Sequence, residues 1–532
     1  MDIKKIIEEG SAIIGMELGS TKVKAVMIDG DGNVIAKGSY KWENKLENGI
    51  WTYSMDDIKN SVQGAYAKLL ENVQKNYGTV IKKVKAIGVS AMMHGYLAFD
   101  KNDTLLVPFR TWRNTITGEA ADKLTEAFNF NIPQRWSIAH LYQAILNGEE
   151  HVKDIAFFTT LAGFIHWKLT GKKVLGVGDA SGMFPINDKT NDYDKAMIET
   201  FDALVSDKGY SWKLADILPG VLVAGDNAGI LTDEGAKLLD VSGNLEGGAL
   251  VCPPEGDAGT GMAATNSVRV RTGNVSAGTS IFSMIVMAEN LKSVHREIDV
   301  VTTPEGAPVA MVHCNNCTSE INAWEGLFKQ VLELYGVEVD EDRLFDLIFL
   351  EALKGDPDCG GLVGFNYFSG EPVTGFDAGR PLFVRTANSK FNLPNFMRMQ
   401  LFNALAALKY GMDILLKKEN VPVDKMYGHG GYFTVKGAGQ TLLSSAIASP
   451  VTVMETAGEG GAWGIALLAL FAAVKEEGES LSDFLDEKIY KSQPSSTLMA
   501  EQKDIDGFNA YMENYKKAFG VEKAAVDLLE EK

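Results

Sequence analysis

"GMELGSTKVKAV", residues 15–26, is the stretch from which the fold can be read. An apolar run meets Gly19-Ser20-Thr21 and leaves as a second strand-like run that carries Lys22 and Lys24. An Asp29-Gly30-Asp31-Gly32 turn and a third apolar run, residues 34–40, follow, so the chain opens on a strand meander with a tight first turn. That turn can present backbone N–H groups and two hydroxyls to phosphate oxygens, and Lys22 or Lys24 can add charge. It is not a Walker loop, because G-x-x-x-x-G-K-[ST] does not occur. Its leading acid is Glu17.

Working outward, residues 55–77 have helical periodicity, and residues 84–89 read as a short buried strand running into Ser90-Ala91-Met92-Met93-His94-Gly95. A strand at 250–251 stops at Cys252-Pro253-Pro254. Residues 269–286, "RVRTGNVSAGTSIFSMIV", are again strand, Gly-bearing turn and strand, with Ser276-Ala277-Gly278-Thr279-Ser280 echoing Leu18-Gly19-Ser20-Thr21. This weak internal repeat predicts two related domains, residues 1–265 and 266–532, that face each other. The run 394–416 reads as a core helix, and 480–491 and 504–532 as charged amphipathic helices forming a solvated cap.

The bulk numbers agree with two globular domains. The chain has 532 residues, 45% hydrophobic and 23% charged, too long for one ordinary core. No run approaches ~18 apolar residues, so no membrane span is expected. Residues 1–14 contain acids and a broken apolar stretch and make a poor signal peptide. Four cysteines do not make a disulfide scaffold, and a cytoplasmic location is expected. The net charge of -19 opposes nucleic acid and anionic membranes.

Two further stretches could carry chemistry. In "CPPEGDAGTGMAATN", residues 252–266, a strand end leads to Asp257 at the start of a small-residue helix. There the helix dipole favours the ionised carboxylate, which can act as a general base. In residues 427–470, Gly428, Gly430 and Gly431 follow a short strand, Gln440 opens a helical run, residues 450–453 form a strand and Gly458 to Gly464 open an apolar helix. Backbone this rich in glycine suits a flat base and its ribose. The Cys314-x-x-Cys317 pair beside His313 lacks a second pair, so zinc is not expected.

Taken together, these sites resemble the FGGY carbohydrate kinases of the actin/hexokinase/heat-shock ATPase superfamily, over nearly the full chain. The family's first phosphate motif, D-x-G-T-[ST]-x-x-[KR], stands as Glu17, Gly19, Ser20, Thr21 and Lys24; the second resembles Ser276 to Ser280, with Gly278 and Thr279; the adenosine motif resembles Gly430, Gly431, Gln440, Pro450 and Gly464. Asp257 matches the catalytic aspartate. "GDASGMF" (178–184) and "NYFSGEP" (366–372) resemble two further family segments.

The resemblance implies an α/β fold of two ribonuclease-H-like domains around a central cleft. It also implies ATP with Mg2+ held through water near Glu17 and Asp257, a small sugar as partner, and room for a homodimer. "SAMMHGYLAFD" (90–100) resembles the sugar segment of xylulokinases, which makes Met93 and His94 ligand contacts. Where xylulokinases read L-W-N-D-x-R, this chain keeps Trp112 but has Arg113 and Asn114, a reversal of hydrogen-bond polarity expected at a sugar hydroxyl. The activity implied is phosphorylation of the terminal hydroxyl of a ketopentose, L-ribulose or D-xylulose. The alternatives are another polyol or hexulose, or a non-catalytic binding member, against which Asp257 and both phosphate turns argue.

Overall fold

The computed structural model describes residues 2–454 and 460–529. The expected helix opening at Gly458 therefore begins outside the described residues. Two mixed sheets carry the architecture. In the first, the antiparallel strands Ile13–Leu18, Lys22–Ile28 and Val34–Lys41 form the meander, and Ala86–Ala91 and then Leu250–Val251 add in parallel beside the first of them. The second sheet repeats that order with Thr272–Ala277, Ile281–Val286 and Pro308–Cys314 as the meander and Lys425–His429 and Val451–Met454 as the parallel pair. It gains Asp299–Thr302 and Ser495–Leu498 at its edges. The repeat seen faintly in the sequence is thus a repeat of topology, and each meander brings its first turn to the same end of its sheet.

Local chemistry explains the bounds of several elements. The helix Met55–Tyr77 starts where Ser54 Oγ accepts the N–H of Asp57, and it stops at Gly78, whose φ of 62° is left-handed. The strand Leu250–Val251 is cut by two prolines. Pairing then resumes at Glu255–Gly256, next to Ser90 and Ala91, and delivers the chain to the helix Asp257–Ala264.

The helix Gly460–Val474 follows the parallel pair of the second sheet in the chain but lies on the first sheet. Every residue from Gly461 to Phe471 is buried, consistent with a helix that is apolar all round. It approaches so closely that a Cβ on Gly15 would lie 2.1 Å from the Ala462 carbonyl oxygen, and one on Gly464 would lie 2.0 Å from the Thr260 carbonyl oxygen. The glycines are needed because backbone meets backbone. The C-terminal helices are not only a solvated cap. Gln502–Lys517 buries Phe508, Tyr511 and Tyr515, which pack on Phe402 and Phe365, and Tyr515 OH bonds Tyr367 OH at 2.6 Å. The aromatics on one helical face win over the charges on the other.

Gly464→Ala should lower the thermal unfolding midpoint, through overpacking of about 1–3 kcal/mol. Gly326→Ala, in a helix where a Cβ meets nothing within 4 Å, should leave that midpoint unchanged or raise it. Equal effects in the two variants, read by calorimetry, would show that the close approach is not needed.

Candidate active site

The ends of both meanders and the start of the Asp257 helix converge on a cleft cavity of about 330 Å³, lined by residues of both halves including Ser20, Trp112, Asp257, Ser280 and His429. On one side is the Gly19-Ser20-Thr21 turn, and every carbonyl in it is taken from behind. Trp42 Nε1 donates to Gly19 O at 2.7 Å, Tyr53 OH to Ser20 O at 2.5 Å, and Trp42 N to Thr21 O at 3.2 Å. Trp42 and Tyr53 stack at 4.0 Å beneath it. The second turn is held the same way. Thr318 N and Oγ1 donate to Gly278 O, Cys317 N donates to Thr279 O, and Gly278 N donates to Ser280 O. With carbonyl oxygens fixed outward, the turns keep hydroxyls and N–H dipoles for an anion. The Cys-x-x-Cys segment serves here as backing. Cys314 and Cys317 are buried free thiols, and desolvation raises both.

Gly430, with φ 97°, abuts the second turn, and a Cβ there would lie 2.4 Å from Ala277 O. Gly431 follows it and is exposed. Gln440 belongs to the framework. It is buried, its Nε2 donates to Val451 O and Ser496 O, and its Oε1 accepts from Ser496 Oγ. Lys24 is the cross-strand neighbour of Glu17, and its Nζ lies 3.6 Å from Glu17 Oε2.

Asp257 stands at the floor of the cleft, where Met93 N donates to its Oδ1 at 3.2 Å. The carboxylate is open to the water of the cleft, but the surrounding walls desolvate it. That effect first, and the charge of Glu17 second, push it up to about 6. Glu17 reaches toward the same helix pair, since a Cβ on Gly461 would lie 2.4 Å from Glu17 Oε1 and 2.9 Å from Thr260 Oγ1. Behind Asp257, the buried carboxyls of Asp179 and Glu255 are pushed up, by desolvation first, to about 7 and about 8.

The sugar-side residues divide. Met93 is wedged between segments that must be glycine, with Gly182 and Gly256 leaving no room for a Cβ beside it. His94 lies on the cavity wall at φ 68°, with both ring nitrogens in use. Arg135 Nε donates to His94 Nε2 at 3.3 Å, which makes Nδ1 the protonated nitrogen, donating to Gly182 O at 3.0 Å. Desolvation, with Arg135 second, holds this imidazole neutral, lowering it to about 3. A sugar hydroxyl therefore finds no free nitrogen on it. Trp112 faces the cavity, across which Phe282, Met284 and Met311 supply an apolar wall.

Arg113 and Asn114 do not line the cavity. Arg113 lies 3.9 Å over the ring of Trp51. Asn114 is buried: its Oδ1 accepts Trp51 N at 2.8 Å, and its Nδ2 donates to Trp51 O and Thr111 O, both at 2.9 Å. A carboxylate could not make the donated bonds, so the amide at 114 is set by a backbone contact and carries no information about sugar stereochemistry.

Arg135, His313 and His429 line the cavity and were not found by sequence reasoning. Arg135 is held by Asp299, which is far away in sequence, and no local motif marks it.

Comparison with known proteins follows the same layout. Residues 12–244 match the N-terminal domain, and residues 273–473 the C-terminal domain, of the FGGY family of carbohydrate kinases. The chain belongs to that family. Its members are ATP-dependent phosphotransferases, and this FGGY kinase carries the two-domain actin/hexokinase-like fold. A xylulose kinase of Haemophilus influenzae is 22% identical over 514 residues, covering 94% of this chain and 98% of that one. Ligand-bound xylulose kinase from Lactobacillus acidophilus superposes with a TM-score of 0.76 at 17% identity, covering 96% of this chain and 98% of that one. Gluconate kinase from the same organism gives 0.76 at 18% identity, covering 96% and 98%. Among the described residues, no helix is long and apolar enough to cross a membrane.

Asn114→Asp should destabilise the protein by about 1–3 kcal/mol, the cost of losing two donated bonds and setting a buried carboxylate against the Trp51 and Thr111 carbonyl oxygens, and leave the sugar KM unchanged. A sugar KM that moves while the unfolding midpoint stays fixed would return residue 114 to the substrate site.

Proposed function

We propose that this FGGY kinase transfers the γ-phosphoryl group of ATP to the terminal hydroxyl of a ketopentose. Residues 1–265 supply the sugar wall and residues 266–532 most of the nucleotide wall. The observation that carries the reading is Asp257, a desolvated carboxylate on the floor of a cleft of about 330 Å³ into which both turns open. The full-length likeness to a xylulose kinase supports the substrate class.

In this mechanism the sugar lies along Met93 with its carbon face against Trp112. Asp257 accepts the proton of the attacking hydroxyl as that oxygen bonds to phosphorus and ADP departs. Ser20, Thr21 and Thr279 hold phosphate oxygens through hydroxyl and N–H donors, while Gly430 and Gly431 give the nucleotide a bare backbone to pack on. The acidic donors suited to a metal are Glu17 and Asp257, and no group of three or more His, Cys, Asp or Glu among the described residues is placed to hold a metal ion by itself. Such a sparse set fits Mg2+ that keeps most of its water and, when bound, neutralises phosphate charge.

Asp257→Asn should cut kcat by about 10²–10⁴-fold while sugar binding persists. For the wild-type protein, kcat/KM should fall as pH drops below about 6, because protonation removes the base. An Asp257→Asn enzyme turning over at the wild-type rate would sink the assignment.

Glu17 extends about 1.5 Å further than an aspartate, one C–C bond, and Gly461 provides the room. Gly461→Ala should therefore raise the Mg2+ concentration needed for half-maximal rate, and adding Glu17→Asp should restore part of the loss. Additive effects in that double-mutant cycle would separate the two residues.

A further inference from the structure

A second cavity, of about 510 Å³, shares no lining residue with the cleft. The helices Met55–Tyr77, Leu161–Thr170 and Asp233–Leu239 meet there beside the strand Leu97–Phe99. Its floor is Ile58, Val62, Phe99 and Ile165, all buried, and half-buried apolar side chains, Phe164 and Leu238 among them, rise around it. All of these belong to one apolar core, so the cavity is an opening in that core. A concave apolar wall with a few charges at its rim is the make-up of a small-molecule site, and an apolar body seated in it would remove that wall from water.

The rim decides the kind of ligand. Asp103 pairs with Lys173 at 2.7 Å. Asp56 and Glu234 stand in the first turns of their helices, where the dipole favours an acid. Lys59 follows Asp56 by three residues, a spacing at which the two attract. Lys168 is placed differently. Its Nζ lies 3.9 Å from the centroid of the Trp167 ring and 5.5 Å from that of Phe164, and among the described residues no carboxylate pairs with it. Asp103, the acid whose charge acts on Lys168, is the one that Lys173 has taken. Desolvation outweighs that charge and lowers the ammonium below the ordinary lysine range. A cation held against aromatic faces at the mouth of an apolar opening is matched by a carboxylate carried on an apolar body. We propose that this cavity is a binding site, separate from the cleft, for a molecule with an apolar body and one carboxylate, and that Lys168 Nζ donates to that carboxylate. Most of the apolar lining is aliphatic, so a straight-chain fatty acid is the simplest such molecule.

The test titrates the full-length protein calorimetrically with octanoate, 1-octanol and octylamine, three heads on one chain, below their micellar concentrations. Octanoate should bind at one site, about 10-fold tighter than 1-octanol, the worth of one hydrogen bond to a charged group. Octylamine should bind more weakly than the alcohol. Lys168→Met keeps the apolar stem and removes the charge, so it should bring octanoate down to the affinity of 1-octanol and leave 1-octanol unchanged. Leu238→Trp should fill the opening and abolish binding of octanoate. Without ligand, both variants should keep the wild-type unfolding midpoint and kcat. Octylamine binding as tightly as octanoate would overturn the proposal, as would octanoate affinity that Lys168→Met does not move. Octanoate that binds Leu238→Trp as it binds the wild type sits elsewhere, which overturns it too. So does an absence of octanoate binding, and if Leu238→Trp then changes the oligomeric state in sedimentation, the opening is a contact between copies of this chain.

Discussion

The contact on which the rest depends is backbone against backbone. The helix Gly460–Val474 can touch both the strand Ile13–Leu18 and the helix Asp257–Ala264 only because Gly15 and Gly464 bring no Cβ to either interface. That one close approach sets the distance between the strand bearing Glu17 and the helix bearing Asp257. The two carboxylates are therefore placed by packing, without a bond between them. Desolvation by the packed walls first, and the charge of Glu17 second, raise Asp257.

A second constraint is the treatment of the two turns. In each, carbonyl oxygens are tied down by donors from another segment: Trp42 and Tyr53 in the first, Cys317 and Thr318 in the second. The side chains and loops that do this have nothing in common, yet the electrostatic result is the same. A Gly-Thr turn alone has no preferred sign, and this backing pairs its carbonyl oxygens, as the anion site proposed above requires.

Much of this was legible in sequence where the determinants were local. Alternating apolar residues and the Asp-Gly turn fix the first meander, and the bounds of Met55–Tyr77 follow from Ser54 and Gly78. The start of a helix at Asp257 was legible from its strand-end and glycine context. What could not be read depended on partners distant in the chain. Asn114 answers to Trp51, Gln440 to Ser496, and Arg135 to Asp299, and none of these pairings leaves a periodic or motif signature. The tail helices were misjudged because their aromatic face makes sense only beside Phe402 and Phe365.

The return of Gly460–Val474 to the first sheet has a consequence for synthesis. The ribosome finishes every strand of that sheet by Gly256, yet the helix that covers one of its faces is still to be made. Until residue 474 has left the exit tunnel, Ile13, Val26 and Ala86 lack the helix they share a core with. Domains commonly fold in order as they emerge. Here the first to be translated lacks that cover until nearly the whole of the second has been made.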